Sequence, residues 1–369
     1  MTNLNTHHAW GVKFLGENFM RRSILVPVVA SFVALLSAPA LLSAADGTRV
    51  TGPLVHANLA IYFVHGTAAG GAVPLTLQDG LEKGQVKVRE IGSVNQLTVE
   101  NVSNDEVFIQ AGDIVKGGQQ DRVLSVDLLL PPHSGVVPIA AFCVEHGRWT
   151  ARGNEDATQF KSAAAAMPSH DAMLAMRAYS GAIAAPMAPD SPTRRADPGS
   201  SQQEIWATVQ ETQQNLARSV GGSVAAAASP SSLQLSLESE KLKQAQAAYI
   251  SALQGAGESS NDIVGYVFAI NGKINGGDVY PSNALFRKMW TKMLAANVTD
   301  AIAKKDAAGG VPPSIKDVEG FLAAAETAPK YERVLNASVR LATRDGNSSL
   351  SAETQRADGS WVHRAYLAK

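Results

Sequence analysis

"RVLSVDLLLPPHSGVVPIAAFCVE" occupies residues 122–145, and the way it folds decides what the rest of the chain can be. Two β-rich runs flank Pro131-Pro132-His133-Ser134. Proline cannot donate to a strand ladder, so the pair of prolines ends one run, and Gly135 opens the next. The stretch reads as an antiparallel hairpin. With Leu130 opposite Val136, counting back places Val123 opposite Cys143 and Asp121 opposite Glu145. The open end then brings "KGGQQDR" (116–122) beside "EHGRW" (145–149).

The same pattern extends towards the N-terminus. "ANLAIYFVHG" (57–66) is a β-rich run ending at glycine, and "LTLQDGLEKG" (75–84) is a short helix closed by Gly84. "QVKVREI" (85–91) and "NQLTVENV" (95–102) alternate with period 2, and "EVFIQAGDIVKGG" (106–118) follows a polar turn. After Trp149 the character changes. "TQFKSAAAAM" (158–167) and "HDAMLAMRAYSGAI" (170–183) favour helix. "SQQE" opens another as a capping box, with Ser201 as N-cap and Glu204 at N3. Residues 184–201 and "GGSVAAAASPSS" (221–232) are linker-like breaks.

A helix from about residue 237 carries Leu242, Ala245, Tyr249, Ile250 and Leu253 on one stripe up to Gly255. "IVGYVFAI" and "KINGGDVY" form a hairpin about Asn271-Gly272, the preferred type I′ pair. Phe286, Met289, Trp290, Met293 and Leu294 repeat at helical spacing, so that face is core. A further helix covers 314–326, and strands follow around 333–345 and Asp358-Gly359. The expected class is α+β: an antiparallel-β-rich N-terminal half, then helices and a smaller mixed hairpin/helix part. The expected divisions are 1–45, 46–150, 151–236, 237–345 and a C-terminal hairpin tail, 346–369.

Residues 1–45 read as an export signal whose translation starts at Met20. Arg21 and Arg22 precede the apolar run 24–36, and small residues allow cleavage near Ala44 or Ala45. That run is too short to span a bilayer, and no second long one exists, so the mature chain is expected in the periplasm or medium with no transmembrane span. Net charge is −1, which steers nothing towards nucleic acid. Cys143 is the only cysteine, so no intrachain disulfide can form. The histidines show no metal-ligand spacing, and neither a metal nor a cofactor is implied.

Chemistry concentrates at the hairpin end. Lys116, Gln119, Gln120, Arg122 and Arg148 beside glycine-rich backbone are the residue types that hold a phosphate or carboxylate. Glu145 and His146 are the candidate proton shuttles. The competing reading is structural. Asp121 and Glu145 pair with the arginines, and Trp149 covers the sheet end. On an ideal strand Cys143 and His146 point to opposite faces, so Cys143 reads as a small apolar core residue.

Residues 100–149 resemble the diagnostic block of the bacterial and archaeal family of ARG and rhodanese-phosphatase-superfamily-associated proteins. The resemblance rests on Gly112-Asp113, "GGQQDR" (117–122), Pro131-Pro132, and Cys143, Val144, Glu145, Gly147, Arg148 and Trp149. Residues 264–294 are similar to the family's second block, and coverage runs over 58–344. The family is uncharacterised. Its name implies association with ADP-ribosylglycohydrolase and phosphatase-like domains, and no catalytic residue carries over. The expected function is therefore an exported, non-catalytic binding or accessory protein with an unknown small anionic ligand or protein partner. A hydrolase of phosphate- or ADP-ribose-linked substrates is the alternative, and a redox-sensing thiol at Cys143 the third.

Overall fold

The computed structural model describes residues 48–69, 71–184, 198–305 and 309–369. Residues 1–45, read from the sequence as an export signal, and most of the 184–201 linker, with its Arg194-Arg195 pair, lie outside the described residues. In chain order the elements begin with β1 (Arg49–His56), β2 (Leu59–His65), β3 (Leu75–Thr76), α1 (Leu77–Glu82), β4 (Val86–Glu90) and β5 (Gln96–Asn101). There follow β6 (Val107–Ile109), β7 (Ile114–Gly117), β8 (Arg122–Leu124), β9 (Leu128–Leu130), β10 (Gly135–Cys143) and β11 (Phe160–Ser162). Then come α2 (His170–Ala184), α3 (Pro198–Ser219), α4 (Leu233–Leu237), α5 (Glu240–Gly257), β12 (Ile263–Ile270) and β13 (Lys273–Val279). The chain closes with α6 (Asn283–Ala303), α7 (Ile315–Thr327), β14 (Lys330–Asn336), β15 (Val339–Asp345), β16 (Ser349–Arg356) and β17 (Trp361–Ala368). The class is α+β, with a mostly antiparallel first half followed by helices and further strands.

An eight-stranded sheet runs β1-β2-β12-β13-β17-β16-β15-β14, so the first two strands join one sheet with the last six. Strand β2 shows why. Leu59, Ile61 and Phe63 enter the core shared with α3, α5 and α6, whereas Ala60, Tyr62 and Val64 pack with Val318 and Ala325 of α7. Period-2 alternation with apolar residues on both sides makes a central strand buried on both faces. Its neighbour β12 turns into β13 through Asn271 and Gly272, both at positive φ as a type I′ turn requires. In α6, Phe286, Met289, Trp290 and Leu294 are buried, and Ser282 caps the helix by accepting from the Leu285 amide. Among the described residues no helix is long and apolar enough to cross a membrane.

The hairpin expected from residues 122–145 does not close on itself. Strand β9 leaves to pair with β6, with Leu130 opposite Val107, in a three-stranded sheet. The first part of β10 pairs instead with β5, with Val136 opposite Glu100. Burial explains the separation. Leu128, Leu129 and Leu130 are all buried, as a strand enclosed on both sides requires, whereas β10 starts exposed and alternates, as β5 does. Only residues 141–143 of β10 meet β8, and Cys143 stands opposite Arg122 rather than Val123.

Two other expectations are corrected. Residues 158–167 form no helix. Phe160–Ser162 is strand β11 on β7, and the alanines after it pack as irregular chain. This pairing needs Gly117, at φ +125°, because a Cβ there would lie 2.5 Å from the Gln159 carbonyl oxygen. Helix α3 already includes Pro198, so Ser201 lies in its first turn rather than at the cap; proline is well suited to the start of a helix.

Candidate functional site

The two polar ends of β8 and β10 do meet. Their ladder ends at Arg122 and Cys143, and beyond it the Val144 amide donates to the Asp121 carbonyl at 3.1 Å. The Asp121 amide donates in turn to Glu145 Oε2 at 3.0 Å. Both carboxylates are sealed from solvent. Asp121 receives both terminal nitrogens of Arg152, at 2.6 and 2.7 Å. It also accepts the Ser232 hydroxyl at 2.7 Å and the Gly117 amide at 3.0 Å. Glu145 Oε1 accepts Arg148 Nε at 2.7 Å and the Ser229 hydroxyl. Burial pushes the Glu145 carboxyl up, but the hydrogen bonds from Arg148, Ser229 and the Asp121 amide outweigh it and hold the group below the usual carboxylate range.

The remaining nitrogens of Arg148 and Arg152 are also used within the protein. Arg148 reaches the Gly118 and Gly117 carbonyls at 3.1 and 3.3 Å and the Thr150 carbonyl, and Arg152 Nε donates to Glu155 at 2.9 Å. Arg122 is fully buried and donates to Glu90 at 3.3 Å and to Gln120 at 3.2 Å. Arg122 Nε and Gln120 Nε2 are buried without a hydrogen-bond partner. Lys116 pairs with Glu238 at 2.7 Å. What faces solvent is Gln119, His146 and Trp149, the last 50% exposed. The His146 ring meets Trp206 edge-on at 4.5 Å, and Trp206 Nε1 donates to the Glu145 carbonyl at 3.2 Å.

Cys143 is buried, and burial pushes its thiol up to about 11. Its backbone amide and carbonyl are both bonded, at 2.9 Å each, by the side-chain amide of Gln202, which takes the place of a neighbouring strand. Sequence reading missed Glu90, Arg152, Gln202, Ser229 and Ser232. The last two fall in the alanine/serine stretch 221–232, which composition marks as a flexible break. Their hydroxyls instead fasten it to Glu145 and Asp121. The only local signal was Ser232 ahead of a leucine-rich turn, where it is the N-cap of α4.

A second polar cluster lies between the sheets. His363 of β17, one of the histidines without metal-ligand spacing in the sequence, is fully buried between two carboxylates. Its Nδ1 is 2.7 Å from Asp127 and its Nε2 3.0 Å from Asp278. Burial alone would lower the imidazole pKa; the Asp127 charge, with help from Asp278, reverses this and raises it to about 9. Asp127 also accepts from Arg177 at 3.2 Å, Thr354 at 2.8 Å and the Ala111 amide at 2.8 Å. Burial pushes its carboxyl up, but the Arg177 and His363 charges and the bonds from His363 and Ala111 outweigh it and hold the group far below the usual carboxylate range. Tyr266 donates to Asp278 at 2.5 Å, and Tyr280 stacks on His363 with centroids 5.0 Å apart.

Gln110 links this cluster to the first sequence block. It accepts from Tyr280 at 2.8 Å and donates to Asp278 at 3.3 Å, while its neighbour Asp113 pairs with buried Lys292 at 2.5 Å. The two blocks of sequence, 100–149 and 264–294, are thus joined by buried polar contacts. Among the described residues no group of three or more histidine, cysteine or acidic side chains could hold a metal ion. His363 has both ring nitrogens occupied by carboxylates.

The family model of the ARG and Rhodanese-Phosphatase-superfamily-associated Protein domain matches residues 47–367. The chain belongs to this family. Its two blocks, on which the resemblance rested, are the segments that the Gln110 and Asp113 contacts bring together. No curated protein and no solved structure matches the chain.

Proposed function

We propose that this family member is an exported binding or accessory protein rather than an enzyme. One observation carries the reading: the charged groups of the motif are taken up within the protein, by one another and by Glu90, Arg152 and Glu238. Glu145, the candidate base, accepts three hydrogen bonds inside the protein and has no surface at which a substrate could give up a proton. Arg122 and Arg148 point at Glu90, Gln120, Glu145 and glycine carbonyls, which supports a structural role over an anion clamp. The buried, raised thiol of Cys143 speaks against redox sensing, which needs an accessible thiolate. The rim of the motif that a partner can reach is Gln119, His146 and Trp149.

The export half of the proposal rests on the basic and apolar leader alone. The test of the other half is turnover. Wild-type protein incubated with phosphomonoester and ADP-ribose-linked substrates is expected to release no product above buffer. Product release that His146→Ala abolishes would overturn the reading. His146 is exposed, so the variant is expected to keep the fold.

A further inference from the structure

Unlike the motif, one end of the large sheet carries cations that are not taken up. Two clefts of about 480 and 360 Å³ flank Lys304, the residue that caps the C-terminus of α6. The larger adds Lys273 and Lys369, with Ile270 and Ile274 as apolar wall, and the smaller adds Arg218 and Lys305. No acidic side chain lines either cleft among the described residues. Lys304 pairs with Asp300 at 3.2 Å, and Lys369 with Asp345. Arg218, Lys273 and Lys305 form no ion pair among the described residues; Arg218 bonds only the neutral Asn215. Five cations therefore answer to two carboxylates.

The walls are fixed before any ligand arrives. The Asn271 side chain donates to the Lys304 carbonyl at 2.7 Å and accepts from Asn58 at 3.0 Å, tying the β12–β13 turn to the end of α6. The volumes exceed what a bare inorganic ion would fill and lie in the range of small-molecule sites. Four lysines and one arginine supply mostly point charges rather than arginine forks, a lining that can hold a phosphoryl group, and five cations against two carboxylates leave room for a ligand with more than one negative charge.

We propose that the clefts on either side of Lys304 bind a soluble, phosphorylated small molecule bearing at least two negative charges. This rests on the reading of the chain as a binding protein. The test is calorimetric titration of the full chain at low salt with two probes, pyrophosphate and glycerol phosphate. Saturable binding of at least one is expected, with a matching rise in melting temperature. The double variant Lys273→Gln/Lys305→Gln should weaken it about tenfold or more. Lys161→Gln, an exposed lysine of β11 that lines neither cleft, should leave it unchanged. Absence of binding by both probes, or equal affinity in the double variant and wild type, overturns the site. Phosphate release is followed in the same samples. Release that depends on His146 would sink the non-catalytic reading and leave the site standing, whereas loss of binding would do the reverse.

Discussion

Arg148 and Arg152 at the end of β10 and Lys273 and Lys305 beside α6 carry the same charge in opposite settings. The arginines sit within a closed lattice, where Asp121 and Glu145 answer them at hydrogen-bond distance and serine hydroxyls fill the remaining acceptor sites. The lysines face open clefts with no carboxylate set against them among the described residues. The first arrangement stabilises the fold only as a whole, since any missing partner leaves a buried charge. The second adds little to stability and leaves its charge for something outside the chain. On the readings proposed above, the most conspicuous run of polar sequence marks a folding device, and inconspicuous lysines mark the surface open to a ligand.

The sharpest way to break this comparison is Asp121→Ala. It strands the buried Arg152 guanidinium, the Ser232 hydroxyl and the Gly117 amide together. Loss of one partner of a buried pair costs about 3–5 kcal/mol, and denaturant unfolding should show it. A loss below about 1 kcal/mol would mean that the lattice is solvated and open to ligands after all.

The His363 cluster extends the contrast to pH. Its folded pKa, about 9, lies above the ordinary histidine value. The stabilisation from its proton is therefore complete below about pH 6.5 and is lost as pH rises through about 9. The difference is about 3 kcal/mol by linkage. Urea midpoints of wild type and His363→Leu, compared across that window, should show the decline in wild type and its absence in the variant. Equal declines would mean that the ring is neutral between Asp127 and Asp278.

Much of this architecture was legible locally. Asn271-Gly272 announced its turn, the Phe286–Trp290 stripe announced a core helix, and the convergence of residues 116–122 with 145–149 followed from strand counting. Pairing was not legible. Nothing within residues 122–145 reveals that Leu128–Leu130 will be claimed by β6, because that choice depends on which neighbours bury both faces. The register differs by one residue for the same reason: β10 is set by its longer pairing with β5, and β8 adjusts to it. His363 was invisible as a site because its two carboxylates lie 236 and 85 residues away along the chain. The stretch 221–232 looked flexible because alanine and serine say nothing about hydroxyls that find buried carboxylates.

Cys143 tests the same closure on a smaller scale. A thiol raised to about 11, sealed from solvent and 3.7 Å from the Val94 carbonyl, should resist a thiol reagent in native protein and react fully once unfolded. Cys143→Ala should cost about 1 kcal/mol, the typical effect of trimming a small buried group. Fast native labelling would show that the strand end opens, and would return the redox reading to consideration.

The smallest effect on stability is the most telling. Lys273→Gln and Lys305→Gln remove exposed charges that hold nothing in place among the described residues, so each should shift stability by less than about 0.5 kcal/mol. The direction matters more than the size. Five cations around two clefts repel one another, and removing one relieves that repulsion, so the shift should be slightly favourable at low ionic strength and vanish as salt screens it. A destabilisation that salt does not change would mean that these lysines serve the fold, as Arg148 and Arg152 do, and the distinction between the two regions would collapse.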